Sequence, residues 1–217
     1  MRQLLPLALS LALIGCATSK IDIRNETEAA KYDPANSARV RLITGDNAHG
    51  AYFNGQSCEK FMNETFKGGS PEESGWKMAH NDSSGVYPFR DSDHRNSVVG
   101  MPASQTTRQI NSTTKQFDEY VVEANKPFLA VFGMVGSIAC SPKPVSFIPQ
   151  PGQDYEMQLK IVKLSTFSAG CIVELNALSV VGTSTVETPV PKQFCAKGAD
   201  GAFHTMAPGN SGDLTRQ

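Results

Sequence analysis

The side chains in this sequence that could do chemistry are four histidines, five cysteines and a few short acidic clusters. In "RDSDHR", Asp91, Asp93 and His94 stand at spacings of two and one, and "HND" sets His80 close to Asp82. Hard oxygen ligands at alternate positions suit calcium, but a calcium loop also needs a third acidic or amide ligand, a glycine and a distal glutamate in register. None follows, so both stretches read as solvated charged turns. Cys58, Cys140, Cys171 and Cys195 lie far apart, with no C-x-x-C pair and no histidine at ligand spacing, which argues against zinc. No metal and no cofactor is expected. No serine sits in a G-x-S-x-G elbow and no Gly-rich phosphate loop follows a strand.

The stretch Gly209, Asn210, Ser211, Gly212 resembles the nucleophile loop of trypsin-like serine proteases. That family needs a base held rigidly against its serine. The nearby His204 is joined to Ser211 only through a tail rich in Gly and Pro, which cannot preorganise one.

The elements that must position any functional group are strands. In "ARVRLI", Val40 and Leu42 fall on one side and Arg39 and Arg41 on the other, the alternation of a half-buried strand. "AYFNGQSC" reads as a second strand entering a tight turn at Asn54-Gly55, with Cys58 just beyond. "QFDEYVVEANKPFLAVFGM" holds two apolar runs split by Asn125-Lys126-Pro127, with Tyr120, Val122 and Ala124 facing away from Glu119, Val121 and Glu123. A short strand at 145–148 precedes the Pro151-Gly152 pair, which suits the middle of a type II turn. Tyr155, Met157, Leu159 and Ile161 then line one face of a long strand, with Glu156, Gln158 and Lys160 on a face expected to meet water. Cys171, Val173, Leu175 and Ala177 repeat the pattern against Glu174 and Asn176, and the two strands pair most economically as a hairpin.

No run combines a helical period with caps. The fold class expected is therefore all-β, an antiparallel β-sandwich, prealbumin-like or immunoglobulin-like, with long loops. The Pro-Gly-x-x-Tyr order at 151–155 resembles the edges of prealbumin-like and other small sandwich domains in bacterial envelope lipoproteins, over residues 115–178. Residues 64–104 supply turn formers and charge, and read as a long loop. Its aromatics Trp76, Tyr87 and Phe89 are either partner contacts or plugs against the side of the sandwich.

The N-terminus opens with Met1 and Arg2 and continues "LLPLALSLALIG", the build of a signal peptide and too short for the roughly 20 apolar residues of a membrane span. Leu13, Ile14, Gly15 and Cys16 match the bacterial lipoprotein signal at all four positions. That resemblance implies cleavage before Cys16 and lipid on its sulfur and new amino group. Ala17 lacks the acidic inner-membrane retention signal, which implies an outer-membrane anchor facing the periplasm.

Removing residues 1–15 from the 217 leaves 202, with a net charge near −2 and no basic excess for a nucleic acid. Four cysteines remain beside Cys16, an even number that suggests two disulfides in an exported chain. Three pairings are open; Cys140 with Cys171 and Cys58 with Cys195 is the one preferred. The expected plan is a signal peptide at 1–15, a lipidated cysteine and flexible tether at 16–37, a sandwich at 38–182 containing loop 64–104, and a Pro/Gly-rich segment and tail at 183–217. As a coil, the tether would span about 25 Å root-mean-square.

The leading expectation is a non-enzymatic protein-binding module anchored in the membrane. Its partner would be an envelope or periplasmic protein, in envelope assembly or in neutralising a periplasmic toxin. The alternatives are a hydrolase acting on lipid or cell-wall material, with His80 or His94 as base, and a structural envelope component.

Overall fold

A computed structural model of the chain describes residues 20–45, 47–64, 77–78, 95–135, 139–166, 168–207 and 215–216. Its strands are β1 Ile21–Arg24, β2 Ser37–Thr44, β3 Ala48–Asn54, β4 Lys77–Met78, β5 Arg95–Val98, β6 Gln116–Glu123 and β7 Phe128–Met134. They continue with β8 Val145–Phe147, β9 Asp154–Lys163, β10 Ala169–Val181, β11 Ser184–Pro189, β12 Gln193–Lys197, β13 Phe203–Met206 and β14 Thr215–Arg216. One eight-stranded sheet runs β1-β5-β6-β2-β9-β10-β11, with β14 also on β10, and a six-stranded sheet runs β13-β12-β8-β7-β3-β4.

The two sheets pack face to face as an all-β sandwich. Val40 and Leu42 of β2, Met157 of β9 and Val173 of β10 meet Tyr52 of β3 and Phe128 and Ala130 of β7 in one apolar core. The alternation expected in β2, β6, β9 and β10 is present, and β9 and β10 form the expected hairpin. The turn residues also behave as their types demand. Asn125, in the Asn-Lys-Pro step, has φ 59° and Gly152, after Pro151, has φ 72°. Pairing is mostly antiparallel, but β2 runs parallel to β9, and β1, β5 and β6 are mutually parallel neighbours.

The chain crosses between sheets at Gly45 and Ala48, whose backbones exchange hydrogen bonds. Gly45 has φ 91°, and a Cβ there would lie 2.4 Å from the Thr114 carbonyl oxygen, so only glycine fits this corner.

Three expectations change. The tether expected through residue 37 is largely part of the fold, because β1 adds to β5 and helix α1, Glu26–Ala29, packs Ala29 beside Val121. Asn25 caps α1 by accepting the Glu28 N–H at 3.0 Å. The boundary at 182 also moves, since β11 extends one sheet and β12 and β13 the other. The Thr and Val alternation of "TSTVETP" is strand-forming, and Pro189 is tolerated at the end of an edge strand.

Finally, the loop expected over 64–104 gives way to strand at Arg95–Val98, followed by buried Val99 and Met101. Helices also occur: α2, Cys58–Glu64, on the outer face of the smaller sheet, and α3, Gln105–Arg108, started by a Ser104/Thr107 capping box. Helices of four and seven residues carry too little sequence to show a period.

Candidate functional site

The outer face of the large sheet was expected to meet water; Lys160 does so, but Arg41, Glu119, Glu156 and Gln158 are buried. Cross-strand register stacks its residues in three rows. Val121, Arg39, Asp154 and Leu178 form one row; Glu119, Arg41, Glu156 and Asn176 the next; Phe117, Ile43, Gln158 and Glu174 the third. Arg41, Glu119 and Glu156 are all at most 2 % exposed. The cover is the chain from Val98 to Ser112, which carries α3 and a 3-10 turn at Ile110–Ser112, and a smaller cluster of Ile43, Ile110 and Phe117 seals it.

A buried charge must be paired and hydrogen-bonded to be tolerated. Arg41 meets that condition. Its Nε and Nη2 donate to Glu119 Oε1 at 3.1 and 2.6 Å, Nη1 donates to Glu156 Oε2 at 2.9 Å, and Nη2 also donates to the Pro102 carbonyl at 3.0 Å. The other oxygen of Glu119 accepts three successive backbone N–H groups, from Val99, Gly100 and Met101, at 2.7, 2.9 and 3.1 Å. Such a run of amides is an anion cradle, filled here by a side chain of the same protein. Arg39 grips Asp154 with two bonds, at 2.6 and 2.8 Å, and reaches the Gly100 carbonyl at 2.9 Å. Together these contacts fasten the cover to the sheet.

Between cover and sheet lies a cleft of about 340 Å3 whose floor is Arg41 and Glu119, with apolar walls from Val98, Met101 and Ile110. All three nitrogens of Arg41 and both oxygens of Glu119 are engaged, so the floor presents charges already spent on structure.

A second cleft, of about 420 Å3, opens at one end between the two sheets and joins Ala48, Met134, Leu159 and Ile161 to Lys115 and Lys160. Lys160 pairs with Glu174 at 2.6 Å and Lys115 donates to Gln158 at 3.5 Å.

Two histidines are described. His204 Nε2 lies 2.8 and 3.0 Å from the carboxylate oxygens of Asp200 on the exposed β12–β13 turn, and that hydrogen bond holds the Asp200 carboxyl below its usual range. His49 sits in β3, where burial pushes its imidazole below its ordinary pKa. Neither lines either of these two clefts. Among the described residues, no group of three His, Cys, Asp or Glu could hold a metal ion.

The cysteines pair as Cys58–Cys195 and Cys140–Cys171, with Cα separations of 5.4 and 6.4 Å. The first ties α2 to β12 beside Phe53, Phe61 and Leu129, and the second joins the chain after β7 to β10. Cys16 with Leu13, Ile14 and Gly15, the aromatics Trp76, Tyr87 and Phe89, the acidic stretches around His80 and His94, and Ser211 lie outside the described residues.

The Arg41 network was not among the residues singled out from sequence. Its signal was two basic residues alternating on β2 against acidic residues at the matching positions of β6 and β9, which becomes visible only once register is known. No protein-family model, no curated protein and no solved structure matches this chain.

Proposed function

We propose that this chain is a lipoprotein of the bacterial cell envelope, anchored through Cys16 in the outer membrane at its periplasmic face and acting as a non-enzymatic protein-binding module. The observation that carries the proposal is the division of labour among the cysteines. Four of the five are joined in two disulfides, as expected in an oxidising compartment, and the fifth, Cys16, is the one that ends the "LIGC" lipoprotein signal.

Two features support binding over turnover. The charged groups at the floor of the smaller cleft are engaged with one another. At the edge of the large sheet, β11 and the end of β10 expose Val186, Val180 and Val181 at 45, 65 and 62 %. An edge strand with apolar side chains suits a partner that adds by strand pairing. The partner is an envelope or periplasmic protein, recognised for envelope assembly or to neutralise a periplasmic toxin.

Three experiments test this. Cys16→Ser is expected to abolish palmitate incorporation and to release the protein from the membrane fraction; unchanged labelling removes the anchor. Crosslinking in intact cells is expected to return one stoichiometric partner protein. Turnover of a lipid or wall substrate by the purified, disulfide-bonded protein would replace the binding role with an enzymatic one.

A further inference from the structure

On the lipoprotein reading, on which this inference rests, the lipid sits on Cys16 and the first described strand begins at Ile21. Five residue steps of at most about 3.6 Å give a leash of roughly 18 Å. That is close to the radius of gyration of roughly 16 Å expected for a domain of about 200 residues. A leash this short keeps the end of the sandwich where it enters close to the bilayer.

The ladder registers identify that end. The start of β1 lies with the starts of β5 and β6, which pair with the end of β2. Because β2 and β9 are parallel, the end of β9 lies there too. The Gly45–Ala48 corner brings the start of β3 and, through its pairing, the end of β7 to the same place. Through β8 and β12, the β12–β13 turn follows.

This end is basic. It carries Lys20, Lys115, Lys160, Lys163 and Lys197. Lys163 and Lys197 are exposed. Of the described acidic groups facing the same way, Glu174 is neutralised by Lys160, Asp200 bonds His204, and Asp22 accepts from Asn96 Nδ2 at 2.8 Å, which leaves Lys20, Lys115, Lys163 and Lys197 in excess. Exposed apolar side chains stand among the lysines, Ile21 at 59 %, Val135 at 43 % and Ile161 at 40 %, beside the cleft lined by Lys115 and Lys160. The opposite end differs: among the described residues it carries Glu28, Asp33, Glu123 and Asp154 against Lys31, Arg39 and Lys126.

We infer that the basic, apolar-studded end containing Lys115, Lys160, Lys163 and Lys197 docks on the anionic phospholipid surface in which the chain is anchored. Each lysine held near such a surface gains on the order of 1 kcal/mol, screened beyond a Debye length. Docking in this pose leaves the far end, with the Pro151-Gly152 turn and the β10–β11 turn, pointing away from the membrane.

The test uses the acylated protein in vesicles of phosphatidylethanolamine with phosphatidylglycerol, and in vesicles of phosphatidylcholine alone. An amine-reactive reagent labels the lysines, and mass spectrometry reads each site and the acyl mass on Cys16. The expected result is labelling of Lys163 and Lys197 slowed at least about threefold in the anionic vesicles, with Lys31 and Lys126 unchanged. Equal rates in the two lipids, or equal slowing at both ends, on a protein that does carry its acyl chains would overturn the docking and leave the anchor standing. A protein without acyl chains would overturn both.

Discussion

Glu119 and Glu156 flank the same guanidinium, yet they differ in what else holds them. Glu119 Oε2 accepts three backbone N–H groups from the cover, whereas Glu156 Oε1 is buried with no hydrogen-bond partner. Among the described residues, the two carboxylates therefore do different work. Glu119 is the link between sheet and cover; Glu156 adds a third negative charge to a buried set in which Arg39 and Arg41 are the cations. Hydrogen bonds to a charged group contribute about 1.5–3 kcal/mol each. Glu119→Gln should accordingly destabilise the protein by about 2–3 kcal/mol, while Glu156→Gln should change stability by less than about 1 kcal/mol. Urea unfolding of the two variants measures the difference. Equal losses would mean that the cradle at Val99, Gly100 and Met101 contributes nothing specific.

At the scale of elements, helix α2 is held to β13 by Glu59, whose Oε1 accepts the Thr205 N–H at 2.6 Å. Burial works to raise the Glu59 carboxyl, but hydrogen bonds from the backbone N–H groups of Glu59 and Thr205, and from the Thr205 and Ser57 side chains, outweigh it and bring the group from 4.5 down to about 2. A depressed carboxylate stabilises the fold above its unfolded pKa and loses that contribution as pH falls through its folded one. The α2–β13 contact should thus weaken between about pH 4.5 and 2. After allowance for solvent around this partly exposed group, the loss is on the order of 1 kcal/mol. Glu59→Gln should flatten that part of the pH–stability curve; an unchanged curve would place the acid sensitivity elsewhere.

The same scale shows what could be read from sequence and what could not. Alternation located β2, β6, β9 and β10 because Val40, Val122, Met157 and Val173 repeat every second residue toward one core. It misjudged the reverse faces. A charged residue at every second position has the same pattern whether it meets water or an opposite charge, and Arg41 finds Glu119 and Glu156 only through strands 78 and 115 residues away. β1 was missed for a related reason. Four residues alternating Ile, Asp, Ile and Arg, exposed throughout, become a strand only when β5 is beside them.

For the molecule as a whole, the two disulfides close loops of very different size, with sequence separations of 137 and 31. If their effect lies mainly in restricting the unfolded chain, losing Cys58–Cys195 costs about 5 kcal/mol and losing Cys140–Cys171 about 4. Paired serine substitutions, followed by thermal unfolding, should rank the two bonds in that order. The reverse order would mean that the packing of Cys140 and Cys171 in the central core outweighs chain entropy.

Strand β2 occupies a middle position in the large sheet, between β6 and β9, yet it emerges long before either is available. Arg39 and Arg41 must wait 115 residues for Asp154 and Glu156. A chain threaded through a membrane from its N-terminus would arrive with these two cations and a half-formed apolar ribbon uncovered for most of its passage. Topologies dominated by such distant pairings assemble slowly and are prone to stick to one another meanwhile. With the chain exported as proposed, depleting the holdases that escort newly exported chains should cut its yield more than that of a helical protein of equal length.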